Sequence, residues 1–250
     1  MLVIKKYALI LAFLITGLVF FNYLFINSFS TNELDREKVI IQRVIDGDTL
    51  ELSDGRVIRL ININSPEKGV QGYNLSLLFL KEFENKSVEI EITGFDKYKR
   101  TLARIYAPNY LNLDIVRLGL ASKFLVHELE LSEFSEAEES AIKNSLGIWK
   151  KSKSFGCFDS KISPVDEEVL IDNKCSEINI KGWIIKDESR KIYSFGDASL
   201  GKVIIHSGSG IDNDTDIFWG SKTSIWNNDR DSLYLFDSGG SIAHYETFGY

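Results

Sequence analysis

The stretch Val44-Ile45-Asp46-Gly47-Asp48-Thr49-Leu50-Glu51-Leu52, followed closely by Arg59-Leu60-Ile61-Asn62-Ile63-Asn64-Ser65-Pro66-Glu67, decides how the first half of this chain is read. A short Ser53-Asp54-Gly55-Arg56 turn separates the two runs. Residues 39–45, 49–53 and 56–63 are rich in Val, Ile and Leu, and Asp-Gly between the last two favours a tight reversal. They are therefore predicted to be consecutive antiparallel strands. Such a hairpin brings Asp48 and Asn64 toward one end of a sheet, with Glu67 just beyond the Pro66 that stops the strand. Asp48 and Asn64 both offer oxygen donors suited to a hard cation such as Ca²⁺.

Further along, Asp96-Lys97-Tyr98-Lys99-Arg100-Thr101-Leu102-Ala103 places a second arginine at a turn before another strand. A phosphodiester anion repels an attacking hydroxide. Its hydrolysis therefore calls for a cation, held here by Asp48 and Asn64, with guanidinium forks aimed at the nonbridging oxygens and a base on the attacking side. Arg59, Arg100 and Glu67 supply these groups. An isolated Asp-Gly-Asp-Thr would be no more than a turn; the ordered set carries the reading.

Taken in order, these residues resemble the thermonucleases, the staphylococcal-nuclease-like proteins. Their pattern is an Asp-Gly-Asp-Thr turn, an arginine strand ending in Asp-Thr-Pro-Glu, and a later Asp-Lys-Tyr-Gly-Arg. The resemblance covers roughly residues 37–150 and includes the closing Leu146-Gly147-Ile148-Trp149. It implies an OB-fold barrel with helices, a fold that also hosts pure nucleic-acid binders. It further implies a Ca²⁺ held by Asp48, Asn64 and the Ser65 carbonyl, with Glu67 orienting or deprotonating the attacking water. Arg59 and Arg100 would be catalytic guanidinium groups on the phosphate, and Lys97 and Tyr98 would touch the nucleic acid substrate. Asn64 stands where the family has a second aspartate, which removes one negative charge from the cation site and predicts weaker calcium binding. Leu125 and His127 stand where the family carries nucleotide-contacting tyrosines.

Within this region, residues 74–83 show helical spacing, with Leu75, Leu78, Phe79 and Phe83 as an expected core stripe. Residues 88–92 and 102–106 read as a fourth and a fifth strand. Residues 111–119 and 135–146 read as two more helices. The second is amphipathic through Ala137, Ala141, Ile142 and Leu146, with its glutamates expected on the open face.

The 250 residues are 44% hydrophobic with three prolines, enough for two modest cores. The formal net charge is -7. Residues 31–150 carry 16 basic and 20 acidic side chains, and residues 151–250 carry 11 and 16, so neither half is a basic footprint. This argues against a grip on nucleic acid by bulk electrostatics, and any phosphate contact is expected to be local and assisted by a bound cation. His127, His206 and His244 are scattered without metal spacing. The two cysteines, Cys157 and Cys175, lack the partners of a zinc site. They admit either a disulfide, if the chain lies outside the cytosol, or two free thiols.

Lys5 and Lys6 precede an uncharged apolar run over residues 7–29, long enough to cross a hydrocarbon core of roughly 30 Å as a helix. Residues 1–30 are expected to be a membrane anchor with everything after them outside the cytoplasm, the run being longer than a usual signal core. Cleavage near Ser28 and Ser30 would instead release a secreted protein. Residues 151–168 read as a linker. From residue 169 to 250, short apolar runs alternate with polar turns at the spacing of an all-β sandwich. The phrases Ile180-Lys181-Gly182-Trp183-Ile184-Ile185-Lys186-Asp187, Ile225-Trp226-Asn227-Asn228-Asp229-Arg230-Asp231 and Leu235-Phe236-Asp237-Ser238-Gly239-Gly240 resemble the lamin-tail domain, which implies an all-β immunoglobulin-like sandwich. Such a module implies localisation or binding of a further partner, whose nature the sequence leaves open. Trp183, Trp219 and Trp226 are expected as core plugs of that sandwich.

Overall fold

The structure is a computed structural model, and it describes residues 16, 17 and 36–250. The anchor or signal segment expected over residues 1–30 lies outside the described residues apart from 16 and 17. Among the described residues no helix is long and apolar enough to cross a membrane.

The first five long strands close a barrel. β1 (Arg36–Val44), β2 (Thr49–Leu52), β3 (Val57–Leu60), β5 (Ser87–Phe95) and β6 (Thr101–Tyr106) run in the order β1-β2-β3-β6-β5. These are the five strands the apolar runs predicted. β2 and β3 form the expected hairpin, with Thr49 opposite Arg59 and Leu50 opposite Ile58. Gly55 in their turn has a φ of 87°, which a side chain would resist. Because side chains alternate along a strand, Ile58 and Leu60 point into the barrel beside Leu50, Leu52 and Ile90, all fully buried. Each such side chain contributes on the order of 2 kcal/mol by leaving water. The same alternation sends Arg59 to the opposite face, beside its cross-strand neighbour Thr49.

The predicted third strand ends early. β3 gives way to a short β4 (Ile63–Asn64), which pairs with β7 (Ser122–Lys123) outside the barrel. This pairing carries Asn64 away from the hairpin and toward the helices.

Three helices pack around the barrel: α1 (Tyr73–Lys81), α2 (Leu111–Arg117) and α3 (Leu131–Lys143). On α1 the core stripe differs from the expected one. Leu80 and Ser76 are buried while Leu75 and Leu78 are about half exposed, because the helix presents a face rotated from the one its leucines suggest. Phe79 and Phe83 do pack against the barrel core. On α3, Ala137, Ala141 and Ile142 face inward as expected. Glu138, expected with the other glutamates on the open face, is buried instead. It finds a buried lysine there, described below.

The C-terminal region forms two four-stranded sheets. One contains β8 (Phe158–Ser163), β9 (Glu168–Asn173), β14 (Lys202–His206) and β15 (Asp216–Phe218), in the order β15-β14-β9-β8. The other contains β11 (Ile184–Lys186), β12 (Ile192–Ser194), β16 (Asp231–Phe236) and β17 (Ile242–Phe248), in the order β12-β11-β16-β17. A small pair, β10 (Ile178–Asn179) and β13 (Ser199–Leu200), flanks them. Val169, Ile171 and Ile205 of the first sheet share a core with Ile185, Leu233 and Leu235 of the second. Trp183 and Trp226 are buried in that core and Trp219 packs at its edge. β8 falls inside the stretch read as a linker, so the sandwich starts earlier than its composition suggested. Cys157 and Cys175 form a disulfide. Spanning 18 residues of sequence, it stabilises the start of this sandwich by about 3 kcal/mol in the chain-entropy picture.

Barrel and sandwich lie within one continuous unit over residues 38–250. A mixed core joins them: Ile142, Ile148 and Trp149 pack with Tyr234, Phe236 and Ile242, and the Trp149 and Tyr234 rings lie 5.2 Å apart. Beside it, Lys123 Nζ donates to Glu138 Oε2 at 2.6 Å and to Ser232 Oγ at 3.0 Å, while Tyr234 Oη donates to the same carboxylate at 3.0 Å. Lys123 also lies 4.3 Å from the centre of the Tyr250 ring.

Candidate active site

Asp48 is the centre of the site. It closes the Asp46-Gly47-Asp48 turn, where its backbone N–H donates to Asp46 Oδ1 at 3.0 Å. Gly47 allows the close approach: a Cβ there would stand 2.4 Å from Ser76 Cβ and 2.8 Å from Ser65 Oγ. The Asp48 carboxylate is 1% exposed, and its oxygens are heavily used. Oδ1 accepts from the Thr49 hydroxyl at 3.0 Å. Oδ2 accepts from the Ser65 N–H at 2.9 Å and the Ser65 hydroxyl at 3.0 Å. Arg59 Nη2 stands 3.2 Å from the same oxygen. Burial alone would raise this carboxyl, but Arg59, the Ser65 amide and Arg190 together hold it below the usual carboxylate range. Asp46 moves the other way, raised by burial and by the charge of Asp48.

Arg59 is itself buried, and its guanidinium is anchored as a fork. Nη1 donates to the Leu60 carbonyl at 2.5 Å, and Nη2 to the Ile63 carbonyl at 2.9 Å and Asn64 Oδ1 at 3.3 Å. Burial lowers its pKa while Asp48 opposes that shift. Arg100 approaches from the other side through the turn before β6. Asp96 shapes that turn by accepting from the Tyr98 N–H, the Arg100 N–H and Arg100 Nε at 2.8, 2.9 and 2.7 Å. Lys99 adopts a φ of 67° where the thermonuclease pattern has glycine. Arg100 Nη1 then reaches the Thr49 hydroxyl at 3.4 Å, so one threonine links it to Asp48. Arg59, Arg100, Lys97, Tyr98 and Leu125 line one cavity of about 640 Å³. Tyr98 is 68% exposed at its rim, with Lys97 Nζ 5.1 Å from the ring centre.

The expected site residues Asp48, Arg59, Asn64, Ser65, Glu67, Lys97, Tyr98 and Arg100 therefore gather at one end of the barrel. The sandwich contributes more that the sequence did not suggest. The turn between β11 and β12 docks on the site: the Glu188 carbonyl accepts from Asn64 Nδ2 at 3.0 Å, and Glu188 Oε1 accepts from the Leu125 N–H at 3.3 Å. Arg190, from the same turn, donates from Nη2 to Asp48 Oδ2 at 2.9 Å and from Nη1 to Glu67 Oε1. In sequence, Asp187-Glu188-Ser189-Arg190-Lys191 reads as a solvated charged turn, and no spacing connects it to the barrel.

The oxygens expected to hold Ca²⁺ do not fit a hard divalent ion in this arrangement. Such an ion takes six to eight oxygen donors. Asp48 Oδ2 already accepts three N–H or O–H groups and pairs with Arg59, Asn64 Oδ1 faces Arg59, and Asn64 Nδ2 is a donor. Among the described residues no group of three His, Cys, Asp or Glu side chains gathers to hold a metal.

Glu188 sets a pH dependence at this junction. Burial pushes its carboxyl up to about 7, against the hydrogen bond from Tyr250, with the charge of Asp231 adding to the rise. Leu125 N–H, Ser232 and Lys123 face it from the other elements. Between the ordinary 4.5 and about 7 the folded chain binds this proton and the unfolded chain does not, so stability falls as pH rises through that window. The loss is about 3 kcal/mol by pH 8. Asp231, raised to about 6, adds a loss of the same sign at lower pH. Denaturation midpoints measured from pH 4.5 to 8 should fall in the parent, and in Glu188→Gln only by the part Asp231 contributes, with little change above pH 6 to 7; equal slopes in the two would refute this account.

A closed five-stranded barrel that carries a buried carboxylate and two guanidinium groups at one end defines an OB-type barrel with a site for an anionic ligand. Residues 57–151 match the family model described as Staphylococcal nuclease homologue. A thermonuclease from Staphylococcus intermedius is 32% identical over 137 residues, covering 49% of this chain and 82% of that protein. A protein from Escherichia coli named "Uncharacterized endonuclease" is 38% identical over 87 residues, covering 32% of this chain. A protein of the same printed name from Haemophilus influenzae is 30% identical over 115 residues, covering 44% of this chain and 64% of its own length. The chain spans 57% of the length of the Escherichia coli relative. The chain belongs to the staphylococcal nuclease homologue family.

Proposed function

We propose that this chain is a nuclease that hydrolyses phosphodiester bonds of DNA, RNA or both. The observation that carries the reading is the convergence of Arg59 and Arg100 on one cavity, with Asp48 paired to Arg59 behind its wall and Glu67 tied to Arg190 of the same cavity. Both guanidinium groups are fixed by hydrogen bonds before any substrate arrives, so they hold charge for the developing five-coordinate phosphorus without reorganising. Glu67 orients or deprotonates the attacking water, and Lys97 and Tyr98 at the rim contact a neighbouring phosphate or sugar. Asp48 positions Arg59. The names of the relatives, endonuclease and thermonuclease, support the same reading.

Calcium dependence, which the family resemblance implies, is not carried into this mechanism because the oxygen set described above does not fit the ion. Export to the outside of the membrane is part of the proposal, supported by Lys5, Lys6 and the apolar run over residues 7–29. The sandwich, read as a lamin-tail-like domain on its sequence phrases, completes the site and serves localisation or partner binding.

The test incubates the full chain with single-stranded DNA, duplex DNA and RNA. Cleavage of at least one substrate is expected, with Glu67→Gln lowering the rate on the order of 10²-fold. A parent that cleaves none of the three would sink the reading.

A further inference from the structure

Arg190 lies where the oxygen-rich part of the site leads one to expect a cation. Its guanidinium bridges Asp48 and Glu67, two carboxylates from opposite sides of the Ser65-Pro66 turn. It lines the same cavity as Arg59 and Arg100. Its side chain is 35% exposed, so part of the guanidinium faces that cavity. Its backbone φ is 79°, a conformation in which glycine would be relaxed and arginine is not. The contacts of the Arg190 side chain with Asp48 and Glu67 hold the backbone in it.

The surroundings match this placement. Asn64 donates through Nδ2 to the Glu188 carbonyl two residues before Arg190. A carboxylate at position 64 would set an oxygen against that carbonyl, so the amide is what allows the turn to dock. The neutral amide at position 64 and the guanidinium at position 190 thus belong to one contact between barrel and sandwich. The turn is not a removable cover, because the mixed core around Trp149 and Tyr234 and the buried Lys123–Glu138 pair hold the sandwich against the barrel.

We propose that Arg190 is a catalytic residue of this nuclease, supplied by the C-terminal sandwich, and that its guanidinium takes the electrostatic place of a divalent cation. This rests on the nuclease reading above. In the reaction, water oxygen forms a bond to phosphorus and one ester P–O bond breaks. The water proton passes to Glu67, and the leaving oxygen takes a proton from solvent. The charge that accumulates on the nonbridging oxygens meets Arg59, Arg100 and Arg190. A planar fork suits this task, since each Nη carries two N–H groups and can serve Asp48 or Glu67 with one while offering the other to phosphate.

The experiment compares the full-length parent with Arg190→Gly, Arg190→Lys and the double variant Arg190→Gly/Asn64→Asp. Each is assayed on DNA and RNA in excess chelator and in millimolar calcium, and melted with and without calcium. Glycine suits the backbone at position 190, so the deletion variant keeps its fold. The parent is expected to cleave equally in chelator and in calcium, with no calcium-dependent rise in melting temperature. Arg190→Gly should lose on the order of 10²-fold in chelator, with Arg190→Lys recovering part of the loss. The double variant, with its carboxylate restored and the guanidinium removed, should gain calcium-dependent cleavage and a calcium-dependent rise in melting temperature. A parent that cleaves only with calcium, or an Arg190→Gly variant as fast as the parent or faster, overturns the role of Arg190 and leaves the nuclease reading standing. No cleavage by any of the four under either condition overturns both.

Discussion

Arg59→Ala is expected to lower phosphodiester cleavage on the order of 10³-fold, the upper range for removing one preorganised charge donor. The side chain holds three things at once: the Asp48 carboxylate, the Leu60 and Ile63 carbonyls, and the wall of the cavity where a phosphate would lie. Its loss also strips the buried Asp48 of one of its two cationic partners. Breaking a buried pair costs about 3 to 5 kcal/mol when the other charge is left alone. Arg190 still contacts Asp48, so the stability cost should fall below that range. Arg59→Lys keeps the charge but offers one compact ammonium in place of the fork. It should retain most of the stability and recover little of the rate. Cleavage rates and denaturant midpoints on the same preparations separate the two effects. Parental cleavage by Arg59→Ala would remove Arg59 from the chemistry.

The largest effect on stability is expected at Lys123 and Glu138. Both side chains are buried, with Nζ and Oε2 2.6 Å apart, and the pair joins β7 and α3 of the barrel to Ser232 and Tyr234 of the sandwich. Lys123→Ala leaves the Glu138 charge buried with only Tyr234 and the Lys123 N–H to satisfy it. The expected loss is about 3 to 5 kcal/mol. Replacing both by apolar residues, Lys123→Met with Glu138→Leu, should recover most of it, because no charge is then stranded. Thermal or denaturant unfolding followed by tryptophan fluorescence checks this: Trp149 reports the junction, while Trp183 and Trp226 report the sandwich core. Barrel and sandwich should melt together in the parent. An unchanged midpoint in Lys123→Ala would show that the pair contributes nothing net.

The same junction shows why the site is built from both halves. The barrel by itself places Asp48, Arg59 and Arg100. The sandwich adds Arg190, and its Glu188 carbonyl gives Asn64 a partner. A carboxylate with a raised pKa at that contact couples docking to pH.

The sequence by itself determined the five barrel strands, because alternation of Val, Ile and Leu with polar residues and an Asp-Gly reversal are local signals that survive into the closed barrel. It also determined the cluster of Asp48, Arg59, Asn64, Ser65 and Glu67, since all of these lie within one hairpin and its exit, and Arg100, since Asp96 fixes its turn locally. The tertiary structure alone decided which face of α1 is buried, leaving Leu75 and Leu78 half exposed, because helical spacing permits neighbouring stripes and only the shape of the barrel selects one. It alone decided that Glu138 turns inward, because a buried carboxylate is stable only opposite a buried cation, and Lys123 is 15 residues away in sequence on another element. It alone brought Arg190 to Asp48 across 142 residues. That contact depends on a sandwich docked through an apolar core, and the physical forces that dock it leave no period or spacing in the short charged turn that carries the arginine.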